Sequence, residues 1–364
     1  MKKIAIATLF FLLFTSNIFA SSTERLFYLT ADFADSSFTR EQLQLIKDHA
    51  QSIDIIAPQI YQLDENGVIW GNMDSRLLGL AKEYHFKVMP LIVNTHFNQE
   101  QFHLFLTNPL AQERALSEMV VLCHEYHLYG LQFDFENIHI NDKKAFTHFF
   151  QLAAQRLHQH GFAISVAVVP RTSDLHESDY DRWFFENWSG AYDYQALAQS
   201  SDFLSVMTYD NHTSLTTPGP LAPLPWVEKI IQGLLKKQIP AEKISLGIPT
   251  YSGYWFSGKM DPGNVAEKYS YRSREIQIAY SNVLNLLDQI HQPLLWQNQW
   301  KSSYVIYSHD DKNEYIFVED AKSFQARLAL VKRYHLRGLS VWKLGDEDPA
   351  IWNNKNVVIN ANSE

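Results

Sequence analysis

Between residues 26 and 344 the chain alternates short apolar runs with longer stretches of helical period. The runs are Leu26–Ala31, Ile53–Ala57, Lys87–Val93, Gly130–Glu136, Ala163–Val169, Phe203–Tyr209, Ile244–Pro249 and Gly338–Leu344. Helical stretches lie between most of them, including Arg40–Ser52, Ser75–Tyr84, Pro109–His127, Lys143–His160, Leu224–Lys237 and Asp320–His335. In the fourth, Ala145, Phe146, Phe149, Phe150, Leu152, Ala153 and Leu157 fall on one face, with Asn141 or Asp142 as its expected cap. Nearly continuous apolar strands separated by helices predict a parallel sheet covered on its outer face. Eight such units close as an α/β fold, the (β/α)8 TIM barrel, with its sites at the C-terminal ends of the strands. One unit is irregular. Residues 254–336 are too many for a loop and a helix, and Leu294–Trp296, Ser303–Ser308 and Tyr315–Glu319 read as extra strands, with Asp310-Asp311-Lys312-Asn313 as a turn. A small α+β insertion between strands 7 and 8 is expected there, forming one wall of the cleft.

At 364 residues, with 46% hydrophobic and 20% charged side chains, the chain suits one large barrel. A net charge of −9 argues against a nucleic-acid partner, whose phosphates call for a basic surface. The aromatic load, 14% of the chain, suits a protein that stacks sugar rings. Residues 1–20 read as a signal peptide: Lys2 and Lys3, the apolar run Ile4–Phe14, and a small residue at Ala20. That run is too short to span a bilayer, so stable membrane insertion is not expected. The single cysteine, Cys123, lies in a helical stretch, so no disulfide within the chain is available. These features predict an exported monomer, periplasmic or secreted, with residues 21–364 forming one catalytic-sized domain.

The strand Tyr129–Glu136 reads Tyr-Gly-Leu-Gln-Phe-Asp-Phe-Glu. Strand side chains alternate, so Gly130, Gln132, Asp134 and Glu136 share a face, and Tyr129, Leu131, Phe133 and Phe135 share the other. In a barrel the apolar side packs outward against helices, Tyr129 included, and the acids point into the mouth. Two nearby carboxylates in a partly dry pocket push their pKa values apart, as general-acid work on an acetal requires.

Gly130–Glu136 resembles the signature of glycoside hydrolase family 18 on its fourth strand. Met207-Thr208-Tyr209-Asp210 resembles the family's sixth-strand motif, and Ser340-Val341-Trp342 its eighth-strand segment. Asp134-Phe135-Glu136-Asn137, Pro223-Leu224-Pro225-Trp226 and Leu344-Gly345-Asp346-Glu347-Asp348-Pro349 resemble the branch of spore-cortex and other peptidoglycan-directed glucosaminidases. The resemblance implies cleavage of β-linkages beside N-acetylglucosamine, in peptidoglycan or chitin-type polysaccharide, with no cofactor. It implies Glu136 as general acid, Asp134 holding the substrate acetamide, Tyr209 aligning its oxygen and Trp342 under the sugar ring. The acetamide oxygen, not a protein carboxylate, then attacks the anomeric carbon. The family pattern has aspartates at the positions of Tyr129 and Gln132. Gln132 is expected to donate a hydrogen bond to Asp134 and, since it does not titrate, to shift the acidic limb of the pH profile.

Substrate contacts are also expected from Gln132 itself, from Gln59 (and Tyr61) after the second strand, Asn94 ending the third, Arg171 after the fifth, and Asp210 beside Tyr209. Trp188, Trp226 and Trp255 are further stacking candidates. The 15 histidines show no tight ligand spacing, so no metal site is expected. A non-catalytic, lectin-like barrel is the alternative reading; retention of Glu136, Asp134 and Tyr209 argues for the enzyme.

Overall fold

A computed structural model describes residues 23–31, 37–175, 177–256, 274–309 and 312–353. The proposed signal peptide, and part of the turn at 310–313, lie outside these residues. The eight apolar runs form eight parallel strands: β1 (Glu24–Thr30), β2 (Ile55–Leu63), β3 (Leu91–Asn94), β4 (Gly130–Asp134), β5 (Ala163–Val168), β6 (Phe203–Val206), β7 (Ile244–Pro249) and β8 (Gly338–Trp342). Each pairs in parallel with its neighbour in sequence. The ring closes where β1 meets β8, Leu26 opposite Ser340, and β2, Leu26 opposite Ile55. A short segment, Lys87–Val88, precedes β3 and also pairs with β2.

The two faces of β4 explain why this run becomes a barrel strand. Leu131, Phe133 and Phe135 are fully buried on the outside. Phe133 stacks on Phe149 at 5.9 Å and meets Phe150 edge-on at 5.6 Å, both from helix Lys143–Gln159. Burying a ring of this size contributes roughly 2–3 kcal/mol. Gly130 is required at the strand's start, since an added Cβ would stand 1.9 Å from the Ala163 carbonyl oxygen. Tyr129 departs from expectation. It lies before the strand begins, so the alternation does not reach it; its ring packs with the inner cluster of Leu26, Tyr28 and Leu91 and carries Lys87 Nζ over its face at 4.1 Å. Asp142 does precede the helix, but its carboxylate bonds His103 Nδ1 at 2.7 Å rather than capping the helix.

Between β7 and β8 a second, antiparallel sheet rises beside the mouth. Its strand order is Arg274–Ile278, Ser252–Phe256, Lys312–Val318, Ser302–His309, Leu295–Gln297. One face covers helix Tyr280–Ile290 through Val283, Val305 and Ile316. The other buries Trp255 and Phe317 with Leu221 and Tyr251 against the barrel. A buried ion pair fastens the junction: Arg327 donates to Glu319 at 2.9 Å and to the Ala222 carbonyl. Glu347 accepts from Gly345 N and from Trp352 Nε1, and Asp348 accepts from Ala321 N. The Leu344–Pro349 motif therefore ties down the chain after β8.

Candidate active site

β4 stops at Asp134, and the next residues turn over the barrel mouth. Asn94, at the end of β3 and only 2% exposed, clamps that turn. Its Nδ2 donates to the Glu136 carbonyl at 2.9 Å, and the Glu136 N–H donates to its Oδ1 at 3.0 Å. From the other side Tyr192 OH donates to the Phe135 carbonyl at 2.7 Å. Asn137 then takes a left-handed φ of 53°, which asparagine tolerates, and donates to the Phe97 carbonyl. The peptide carrying Glu136 is thus held by both neighbouring loops.

Asp134 is buried. Its Oδ2 accepts from Gln59 Nε2 at 3.3 Å, while Oδ1 has no partner among the described residues. Burial pushes its carboxyl up to about 6, with the Gln59 contact opposing. Glu136 is pushed well above the ordinary carboxylate range, first by burial and then by Asp134 and Asp210. Two acids in one dry pocket disfavour a second negative charge, so each raises the proton affinity of the other. Tyr209 stands near both acids, and its hydroxyl is held protonated by burial and by the surrounding charges. Its ring meets Tyr251 edge-on at 6.3 Å and lies over Gly247, where an added Cβ would sit 3.0 Å from Cε1. Asp210, at the lip of the mouth, accepts a hydrogen bond from Tyr251 OH. Trp342, half-buried at the end of β8, lies 5.2 Å from the Tyr28 ring at 54°.

Glu136, Asp134, Tyr209, Asp210, Trp342 and Gln59 therefore converge on one mouth, and three other candidates do not face it. Gln132 is fully buried lower in the barrel; its Oε1 accepts from Tyr28 OH at 2.6 Å and its Nε2 donates to Ser165 Oγ at 2.7 Å. The amide is spent below Asp134 and makes no bond to it. Arg171 ion-pairs with Asp174 at 2.6 Å, donates to the Ser189 and Tyr192 carbonyls and lies over Tyr194 at 4.4 Å. It fastens loops instead of presenting its charge to the mouth. Asn94's amide is occupied by the Glu136 peptide. Of the softer candidates, Trp255 and Tyr61 are buried in core clusters and Trp226 packs half-buried against one. Among the described residues no three His, Cys, Asp or Glu side chains gather as a metal ion would need.

One acid at the mouth had no signature in the sequence. Glu275 pairs across strands with Trp255, so it shares the sheet face turned to the barrel. Burial and nearby Asp210 push its carboxyl up to about 7, and its Oε1 has no partner among the described residues.

A parallel eight-stranded barrel places its active site at the C-terminal ends of the strands, where this chain sets Asp134 and Glu136, and paired carboxyls there suit cleavage of glycosidic bonds. Residues 23–348 match the model of glycosyl hydrolases family 18, and the chain belongs to that family. It is 27% identical to the uncharacterized glycosylase YvbX of Bacillus subtilis over 89% of this chain and 88% of that protein. The cortical fragment-lytic enzyme of Bacillus subtilis is 27% identical over 80% of this chain and 64% of its own length, so this chain spans under two thirds of that relative. Among solved structures, the spore cortex-lytic enzyme SleL of Bacillus megaterium superposes with a TM-score of 0.76 at 24% identity, covering 91% of this chain and 72% of SleL. The protein is a glycoside hydrolase related to spore cortex-lytic enzymes and chitinases. No helix of the described residues is long and apolar enough to cross a membrane.

Proposed function

We propose that this protein is exported and hydrolyses β-glycosidic bonds next to N-acetylglucosamine, in peptidoglycan or chitin-type chains, with retention and with the substrate's acetamide as nucleophile. The observation that carries the reading is the pair of buried carboxyls at the end of β4: Glu136, which burial and Asp134 push well above the ordinary carboxylate range, beside Asp134, whose Oδ1 has no partner among the described residues. Glu136 gives its proton to the glycosidic oxygen as the C1–O bond breaks, and the acetamide oxygen closes on C1 to form an oxazolinium ion. Asp134 Oδ1, which has no partner among the described residues, accepts the acetamide N–H and offsets the positive charge. Tyr209 donates to the acetamide oxygen, and Trp342 supports the ring. Water then attacks C1 and yields its proton to Glu136. The nearest other carboxyls, Asp134 and Asp210, have the substrate-steering and rim positions, so no protein nucleophile is assigned. An ordinary retaining pair would stand about 5 Å apart on opposite faces of the sugar.

The test is mass spectrometry of products from purified peptidoglycan and from chitooligosaccharides. The parent should release fragments ending in reducing N-acetylglucosamine, and Glu136→Gln should release none. A thiazoline analogue of N-acetylglucosamine should compete for the site. Activity that survives Glu136→Gln would overturn the assignment.

A further inference from the structure

Tyr192, which holds the Glu136 peptide from the β5 side, is itself built into a bracket. Its ring is fully buried and meets Phe146 edge-on at 5.9 Å, on the helix that follows the acid strand. Its hydroxyl donates to the Phe135 carbonyl at 2.7 Å. Two residues on, Tyr194 OH donates at 2.6 Å to the carbonyl of Val169, which follows β5. The returning loop is therefore bonded to the outgoing ends of β4 and β5 together.

Arg171 closes the bracket. Its guanidinium donates to the carbonyls of Ser189 and Tyr192 and lies over the Tyr194 ring at 4.4 Å. Asp174 holds it at 2.6 Å and also takes Lys237 Nζ at 3.1 Å. A planar fork can serve several acceptors at fixed angles, which a lysine ammonium cannot.

The bracket bears on the acid through one peptide. The carbonyl of the Phe135–Glu136 peptide is bonded to Tyr192, and its N–H to Asn94 Oδ1 at 3.0 Å. Held at both edges, the peptide fixes the Cα from which the Glu136 side chain extends. A ring packed for burial alone would need no hydroxyl, and the Tyr192 hydroxyl stands close enough for Glu136 and Asp134 to raise its proton affinity. A misplacement of about 1 Å at a reacting group costs on the order of a hundredfold in rate.

We infer that Tyr192 is a positioning residue for Glu136, and that Arg171 acts on the acid through Tyr192 without meeting the substrate. The inference rests on the proposed reaction for the role of Glu136 as proton donor. It gives Arg171 a part in the chemistry that needs no contact with a sugar.

Tyr192→Phe keeps the ring and removes only the O–H. On a hexasaccharide, whose leaving hydroxyl needs a proton, kcat/KM should fall about thirtyfold, with KM changed less than about twofold. On a dinitrophenyl glycoside of N-acetylglucosamine, whose leaving phenolate needs none, the loss should stay under about threefold. Equal losses on both substrates would mean packing alone and overturn the role. Arg171→Met should show the same dependence on leaving group, and the double variant should lose no more than the worse single variant. Losses that multiply would overturn the claim that Arg171 acts through Tyr192. The carbon-13 carboxyl resonance of Glu136 reads its placement without any substrate. In Tyr192→Phe it should titrate roughly one pH unit or more lower, as the side chain leaves its dry position. A lowered titration with no leaving-group effect would support the bracket and sink the proposed role of Glu136, whereas an unmoved titration would overturn the bracket itself.

Discussion

Asp134→Asn is expected to stabilise this protein while disabling it. The carboxyl moves from 3.8 to about 6 on burial, and its Oδ1 lacks a partner among the described residues. At about 1.36 kcal/mol per pH unit, keeping that group ionised in the folded state costs about 3 kcal/mol. The sign follows from the direction. A carboxyl whose folded pKa lies above its unfolded value holds more protons when folded. Its full contribution is present below about pH 4 and is lost as pH rises through about 6. Asparagine keeps an acceptor for Gln59 Nε2 and carries no charge, so its advantage is near zero at pH 4 and about 3 kcal/mol at pH 8. For a domain of this size the unfolding entropy converts that to a rise in Tm of about 4 °C. Thermal unfolding at pH 4, 6 and 8 measures the difference, and hydrolysis assays on the same samples should show activity down by about two orders of magnitude or more. The Asn variant also removes the nearest anion from Glu136, so any residual activity should lose its alkaline limb at lower pH. An Asn variant no more stable than the parent at pH 8, or a Tm offset that does not change with pH, would refute the argument that Asp134 is held against its own desolvation.

Three further perturbations test the supports around the acids. Asn94→Ala removes both hydrogen bonds to the Glu136 peptide, so kcat should fall about tenfold to a hundredfold while KM changes less than twofold; a rise in KM alone would mean Asn94 binds sugar instead. Gln132→Asp leaves Ser165 without its donor and adds a buried charge, so urea unfolding at pH 7 should show a loss of roughly 1–3 kcal/mol. A Gln132→Asp protein of parental stability with a displaced acidic limb would show instead that this position acts on Asp134. Arg327→Met strands Glu319, whose carboxyl already lies at about 7, so the folded variant should take up a proton there. Its stability deficit should be of order 3 kcal/mol at pH 8 and shrink toward pH 6, and a pH-independent deficit would point to lost packing alone.

What the sequence disclosed and what it hid divide along a physical line. The eight strands and the outward faces of β4 and its helix were legible because burial imposes a period, and a period is local. Asp134 and Glu136 were legible for the same reason: charges in an apolar run stand out. The direction of a polar side chain has no such signature. Gln132 alternates onto the face of the acids, yet its amide is claimed from across the barrel by Tyr28 and Ser165, residues 104 and 33 positions away. Arg171 follows the right strand but is captured by carbonyls of the next loop. Tyr192 and Glu275 reach the site only through contacts that the closed barrel and the second sheet create. Alternation tells which side of a strand a residue occupies, whereas hydrogen-bond competition decides how deep it points. In this protein that competition turns Gln132 inward to the barrel floor and leaves Asp134 with Gln59 as its one side-chain partner among the described residues.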